Sequence, residues 1–472
     1  MNKNAAILDC TLRDGGFINN WRFGKVCIAD ILSNLSLSKV DIIEIGYLRE
    51  DAKKSIHTTE YSKISQIDEI INNLNIKSKL VAIIDYGKFH IDLVDDSINS
   101  SLFGLRVTFK KQEIDDALIY CENLMKKGYK VFVQPVSLTD YSDAEILNLV
   151  TKVNKINPFS MAIVDTYGFM FKEDILHYLE MIDQNLNEKI ALGYHGHNNF
   201  QLASSNAMFV IEKSLKRMVI VDSSMYGMGK GAGNAHTELL MNYCNKFQNS
   251  QYKIKNILEM IDSYIKPIKE RKKWGYDLNY FINGLLEIHP SYVSYLLNKK
   301  TLVIESIIEI LKKVNSKNKT KFDKLNVDPI YENYIKENIL NRKINYALLP
   351  KNDLYLVVGP GPSFKKEIKN IKDFLLEKNC KVISTNFIPE SIDIDYLLIT
   401  NNKRLGQLEK HLHNKKNRSF KIIFTSDLDS SKIIPDLTIE SLNIDLDENG
   451  IFQNSLITVL TFLEQSSLDS VY

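Results

Sequence analysis

Short apolar runs alternate with amphipathic stretches through the first half of the chain. The runs lie at 5–10, 41–46, 79–84, 103–108, 130–135, 160–165, 190–195 and 217–222 and are nearly continuous in apolar residues. Strands buried on both faces read this way, whereas a half-exposed strand alternates apolar with polar. Between the runs, segments such as Asp115–Met125 and Ser142–Val153 repeat apolar positions at the period of a helix with one buried face. Eight strand–helix units within about 250 residues is the count of a (β/α)8 TIM barrel. An open, doubly wound parallel sheet is the alternative. Against it, no GxGxxG follows the first run, as a dinucleotide-binding sheet would require there.

The pattern changes twice further on. Residues 1–250 form the expected barrel domain, and 251–345 read as a helical extension rich in Lys, Ile, Leu and Tyr. Within the extension, Asn315–Lys324 is polar and reads as an exposed linker. Residues 346–472 return to an α/β pattern. It has a strand at Leu354–Val358, a helix at Phe364–Lys378, and strands at 381–385, 396–400 and 421–425. This predicts a small Rossmann-like domain. Its Gly359-Pro360-Gly361-Pro362-Ser363 turn resembles the opening of a nucleotide-binding unit. Its spacing is not GxGxxG, however, and proline removes amide donors that a phosphate would use. A structural or partner-docking role is the expectation, with a nucleotide or nucleotide-sugar ligand as the alternative.

Composition narrows the function classes. The 472 residues are 44% hydrophobic and 25% charged, with a formal charge of +2. So nearly neutral a chain has no global field for nucleic acid or an acidic membrane. No apolar run approaches the roughly 18 residues that span a bilayer. Cysteines at 10, 27, 121, 244 and 380 are odd in number and form no CxxC, which fits free thiols in a reducing compartment. Met1–Asn4 lead directly into the first run with no secretory pattern, so a cytoplasmic location is expected.

Chemistry collects where the predicted strands end. Arg13 and Asp14 follow the first strand within Thr11-Leu12-Arg13-Asp14-Gly15-Gly16. Glu44 and Tyr47 end the second, and Asp85 follows the third. Arg106 and Thr108 end the fourth, Gln134 the fifth, Asp165 and Thr166 the sixth, and His195 and His197 the seventh. In a barrel, the carboxyl ends of the strands form the active face. A carboxylate there can hold a divalent metal, and a guanidinium beside it can hold an oxyanion. Two histidines one residue apart at a strand end can reach one ion together. After the eighth strand, Met225–Asn234 is Gly-rich with one Lys. No Lys-Ser/Thr pair ends it, so it reads as a tight loop over the barrel mouth presenting Asn234, not as a P-loop.

The fragments Asp9-Cys10-Thr11-Leu12-Arg13-Asp14-Gly15-Gly16, Gly193–Asn199 and Gly231-Ala232-Gly233-Asn234, set on eight βα units, resemble the DRE-TIM metallolyase superfamily. The resemblance is to its HMGL-like group, nearest the 4-hydroxy-2-oxovalerate aldolase-like branch, over roughly residues 5–300. It implies that Asp14, His195 and His197 hold one divalent cation, Mn2+ or Mg2+, with Asn234 resembling a further ligand of the lyase branch. It implies that Arg13 stabilises the enolate oxygen of a pyruvate-like intermediate and that Thr166 binds the 2-oxo acid carboxylate. Glu44 resembles an acid beside the arginine. Arg106 either binds a substrate carboxylate or pairs with Glu44. A homodimer is also implied.

The implied activity is a metal-dependent aldolase joining or cleaving a 2-oxo acid and an aldehyde. A Claisen-type synthase using acetyl-CoA and a 2-oxo acid is the alternative. In the aldolase branch a histidine soon after the Arg-Asp-Gly serves as base; here Phe17 stands there. That branch also uses a tyrosine from the helical region after the barrel, where this chain offers Tyr276, His289 and Tyr292. His289 could move a proton near neutrality or merely start a helix before Pro290, and Tyr292 is a substrate-binding candidate.

Overall fold

The computed structural model describes residues 5–213, 216–299, 302, 304–315, 319, 322–335, 337, 349–350, 353–412, 419–425, 428, 433 and 435–439. They form two compact units that divide after Glu287. The Asn315–Lys324 segment expected as a linker lies partly outside the described residues.

In the first unit the eight predicted apolar runs are all strands. They are β1 (Ala5–Asp9), β2 (Ile42–Leu48), β3 (Lys79–Asp85), β4 (Gly104–Phe109), β5 (Lys130–Pro135), β6 (Ser160–Asp165), β7 (Ala191–Gly196) and β8 (Val219–Ser223). Each pairs in parallel with the next, and β1 pairs with both β2 and β8. The sheet is therefore closed, and the fold is a TIM barrel. A two-residue strand, Glu60–Tyr61, adds to the far end of β2.

Helices α1 (Lys25–Leu37), α2 (Ser65–Ile71), α3 (Ile114–Lys126), α4 (Asp143–Ile156), α5 (Lys172–Asn185), α6 (Ala203–Glu212) and α7 (Thr237–Phe247) complete the units. Helix α4 shows why they start where they do. Ser142 accepts from the Glu145 amide while Glu145 reaches back to Ser142, a capping box that satisfies donors the helix cannot. The β3–β4 connection departs from the pattern, with two 3-10 turns, Ile91–Leu93 and Ser97–Asn99, in place of an α-helix. Its apolar residues lack helical spacing, yet Phe89, Val94 and Leu102 still bury themselves in the layer outside the barrel.

Alternation along the strands builds the barrel interior in layers. Leu8, Ile42, Val81, Phe132, Ala191 and Ile220 pack together as one buried cluster inside it. Further along the strands, residues that also face the interior are polar: Glu44, Arg106, Gln134, His195 and Asp222, all buried. The apolar layer is a floor and the polar layer is the base of a site. One extra residue in β2 between Glu44 and Tyr47 breaks the register with β3. After the floor the unit adds helix α8 (Leu278–Leu286). No helix of the described residues is long and apolar enough to cross a membrane.

The second unit opens with α9 (Pro290–Asn298), α10 (Ile304–Lys312) and α11 (Lys324–Ile335). A smaller parallel sheet follows, with β9 (Leu354–Val358), β10 (Cys380–Thr385), β11 (Tyr396–Ile399), β12 (Lys421–Thr425) and β13 (Leu437–Ile439). Its strands lie in chain order. Among the described residues the order never reverses, so the crevice that a reversal opens in doubly wound sheets is not formed. The expected helix 364–378 is broken at Glu367 into α12 (Pro362–Lys366) and α13 (Ile368–Glu377), and α14 (Asn402–Leu412) follows β11.

Candidate active site

Asp14, His195 and His197 converge at the carboxyl rim, each buried. One ligand atom from each lies within 4.8 Å of the others. Asp14 comes from the turn after β1, whose tightness is set by the Asp14 amide bonding the Cys10 carbonyl at 2.8 Å. The histidines come from the end of β7 and the residue after it. His195 Nδ1 lies 2.9 Å from Asp222 Oδ2, a carboxylate–imidazole pairing that fixes the ring and leaves Nε2 for a ligand. The His197 amide donates to the Asp165 carbonyl at 3.1 Å. Burial pushes the His197 imidazole down to about 4, with His195, Lys230 and Arg13 adding to the effect and Asp14 opposing it. A neutral imidazole is the form that binds a metal.

Three donors hold the Asp14 carboxylate: Arg13 Nη1 at 2.7 Å, Asn234 Nδ2 at 2.7 Å and the Lys230 amide at 3.2 Å. Burial would raise its proton affinity, but Arg13, the two imidazoles and Asn234 hold it well below the usual carboxylate range. The Asn234 Oδ1 is buried and has no hydrogen-bond partner among the described residues. A buried oxygen without a donor is costly. Beside two imidazoles and a carboxylate, it suits a divalent cation with mixed O and N ligands. The donor set and the orphaned oxygen therefore fit the implied metal.

A buried ionic network lies under this cluster. Arg13 Nε bonds Glu44 at 2.6 Å, and Arg106 Nη1 bonds the other Glu44 oxygen at 3.0 Å. Arg106 Nη2 bonds Gln134 at 3.1 Å and also Asp222. Burial disfavours both guanidinium charges, and the carboxylates around them more than restore them. Two readings narrow here. Glu44 lies beside Arg13, as the resemblance implied, with both oxygens engaged by guanidinium groups. Arg106 is 1% exposed, with both terminal nitrogens engaged. Of its two readings, the geometry supports pairing with Glu44, not substrate binding. Arg13 differs, because among the described residues its Nη2 makes no hydrogen bond.

The remaining candidates are distributed as follows. The Thr166 hydroxyl accepts from the Ser137 amide at 2.7 Å and keeps its own proton to donate. The Asp165 carboxylate accepts from the Phe169 and Met170 amides and braces the turn after β6. Burial, opposed by those amides, pushes it up to about 7. Asp85 accepts from the Thr108 hydroxyl at 2.5 Å. His289 and Tyr292 fall in the second unit. His289 Nδ1 accepts from the Ser291 amide at 3.2 Å as the cap of α9. Tyr292 is fully buried, and its oxygen accepts from the Asp323 amide.

Sequence reasoning passed over Tyr280. It lies on α8, which docks on the barrel through Asn199 and Asn283 at 2.8 Å. The Tyr280 ring stands 3.5 Å from where a Cβ on Gly231 would be. Burial and then Asp277 raise its hydroxyl above the ordinary tyrosine range. The signal was the post-barrel helix itself, where Tyr280 sits one turn from Tyr276.

The Gly-rich loop after β8 is shaped by close approach. A Cβ on Gly229 would meet Asn234 Nδ2 at 2.3 Å and Asp14 Oδ2 at 2.5 Å. Gly233, at φ +89°, would meet the Gly227 carbonyl at 2.0 Å. We expect Gly229→Ala to push Asp14 and Asn234 apart and weaken Mn2+ binding by roughly 10- to 100-fold, the usual cost of disturbing groups that orient ligands. Calorimetric titration of Mn2+ into the variant checks this, and unaltered affinity would mean the loop does not set the ligands.

Comparisons with known proteins agree with the geometry. A family model described as HMGL-like matches residues 4–263. An oxaloacetate decarboxylase of Mycobacterium tuberculosis is 24% identical over 241 residues, 50% of this chain and 68% of that protein. A 4-hydroxy-2-oxovalerate aldolase of Stutzerimonas stutzeri is 22% identical over 285 residues, 58% of this chain and 81% of that protein. Among solved structures, the N-terminal domain of a presumed aldolase from Bacteroides vulgatus superposes with a TM-score of 0.54 at 24% identity. It covers 64% of this chain and 99% of that one, and it shares the barrel. Matched by the family model over more than half of its length, the chain belongs to the HMGL-like family.

Proposed function

We propose that the barrel domain is a divalent-metal-dependent aldolase, a carbon–carbon lyase run in either direction, that works through a pyruvate-type enolate with an aldehyde partner. One observation carries the reading. The buried Asp14–His195–His197 cluster, with the orphaned Asn234 oxygen, adjoins a guanidinium that keeps one nitrogen free. The names of the two relatives support it, since oxaloacetate and 4-hydroxy-2-oxovalerate are both 2-oxo acids. Decarboxylation of oxaloacetate and retro-aldol cleavage of 4-hydroxy-2-oxovalerate both leave the enolate of pyruvate.

Asp14, His195, His197 and Asn234 would hold the cation, Mn2+ or Mg2+, which when bound supplies Lewis-acid polarisation of the 2-oxo carbonyl. Arg13 offers Nη2 to the oxyanion that develops on that carbonyl oxygen, and Glu44 fixes its plane. Thr166 donates to the 2-oxo acid carboxylate. Phe17 has no proton to move, so we assign proton transfer on the aldehyde side to the Tyr280 hydroxyl.

The test is exchange of pyruvate methyl protons in D2O, followed by NMR. With Mn2+ present, exchange well above the enzyme-free rate is expected, and a chelator should abolish it. Absence of exchange rejects the reading. Thiol release from acetyl-CoA with a 2-oxo acid would favour the Claisen-type synthase instead.

A further inference from the structure

Lys230 is an exposed cation beside the candidate metal cluster with no part in the chemistry so far. Its amide holds Asp14 Oδ2 at 3.2 Å, which places its backbone against the cluster. Its ammonium makes no ion pair or hydrogen bond among the described residues. It lies 5.3 Å from the centre of the Phe17 ring, at the mouth, and its charge reaches the His197 imidazole.

Phe17 is 37% exposed and opens an aromatic wall. It meets Trp21 edge-on at 4.8 Å and Tyr47 at 6.3 Å, and the Arg13 guanidinium lies 6.0 Å from the Tyr47 ring centre. Arg13 is already neutralised by Asp14 and Glu44. Asp85, the carboxylate that acts on Tyr47 from β3, is held by the Thr108 hydroxyl. Lys230 is an exposed cation at this wall with no ion pair among the described residues.

Resting on the aldolase reading above, we propose that Lys230 and the Phe17–Trp21–Tyr47 wall form the acceptor subsite and select an aldehyde that carries an anionic group, a carboxylate or a phosphate. The ammonium takes the anion, and the aromatic edges line the carbon chain between the anion and the reacting carbonyl. An ammonium is a compact point charge on a flexible stem, suited to either anion. The contact is half-solvated, so it weakens with added salt.

The experiment condenses pyruvate with matched acceptors at fixed Mn2+. Succinic semialdehyde is set against butanal, and D-glyceraldehyde 3-phosphate against D-glyceraldehyde. At least one anionic acceptor is expected to exceed its neutral counterpart by about tenfold in kcat/KM, the scale of one charge-assisted contact. The two pairs separate carboxylate from phosphate. Lys230→Gln should erase that preference, chiefly through KM, and Lys230→Arg should keep most of it. If wild type shows no preference for either anion, or Lys230→Gln lowers charged and neutral acceptors alike, the subsite is wrong. Pyruvate proton exchange in wild type separates the two failures. Exchange without charge preference sinks the subsite alone, and no exchange sinks the aldolase reading and the subsite with it.

Discussion

Asp14→Asn is expected to lower metal-dependent proton exchange by roughly a thousandfold, the rate equivalent of several kcal/mol of lost charge stabilisation. The substitution keeps the size of the side chain and removes its charge. Asp14 is the one anionic ligand in a cluster whose other members are two imidazoles and an amide oxygen. Without it, a divalent cation faces neutral donors with Arg13 close by. The barrel itself should survive, because Arg13 keeps its bond to Glu44 at 2.6 Å. Free Mn2+, read by electron paramagnetic resonance, should rise at equal total metal. His197→Gln should behave the same way. Tight Mn2+ binding in the Asp14 variant would mean that the three residues do not form a metal site.

Arg106→Met is expected to destabilise the first unit by about 3–5 kcal/mol, because removing one partner strands buried charge. Glu44 would lose one of two guanidinium partners, Asp222 would keep only His195, and Gln134 Oε1 would lose its donor. In a domain of this size that loss lowers Tm by roughly 10 °C, measured by circular dichroism. Arg106→Lys should recover part of it, since a point charge cannot reach three acceptors in one plane. Unchanged Tm with a raised KM for the 2-oxo acid would reverse the assignment and make Arg106 a substrate group.

These expectations also show which features a sequence discloses. Strands buried on both faces announce themselves, and all eight barrel strands did, because burial there demands unbroken apolar runs. The Asp14–His195–His197 cluster was equally visible, since strand ends are where a barrel puts chemistry and these residues stand at two of them. Partnership was not visible. Glu44 and Arg106 carry charges that could face substrate or each other, and only the register of β2, β4 and β8 across the interior settles it. His289 offered two uses, a proton carrier or a helix start before Pro290, and its contact with the Ser291 amide two residues on is that of the helix start. Tyr280 was missed. The proton-transfer role proposed for it rests on α8 lying beside Gly231, a contact set by Asn199 and Asn283 far apart in the chain.

The closure of the barrel has a consequence for its assembly. β1 must wait for β8, some 214 positions later in the register pair Ala5–Val219, before either edge is covered. Such long-range pairing is slow and comes late in folding. Asp14 lies in the turn after β1, Asn234 in the loop after β8, and the histidines at the end of β7 and the residue beyond it. A cation held by these residues would therefore stitch three neighbouring strands across the seam at which the cylinder opens. Loading the ion would complete folding as well as catalysis, and the metal-bound protein should unravel more slowly than the same chain without it.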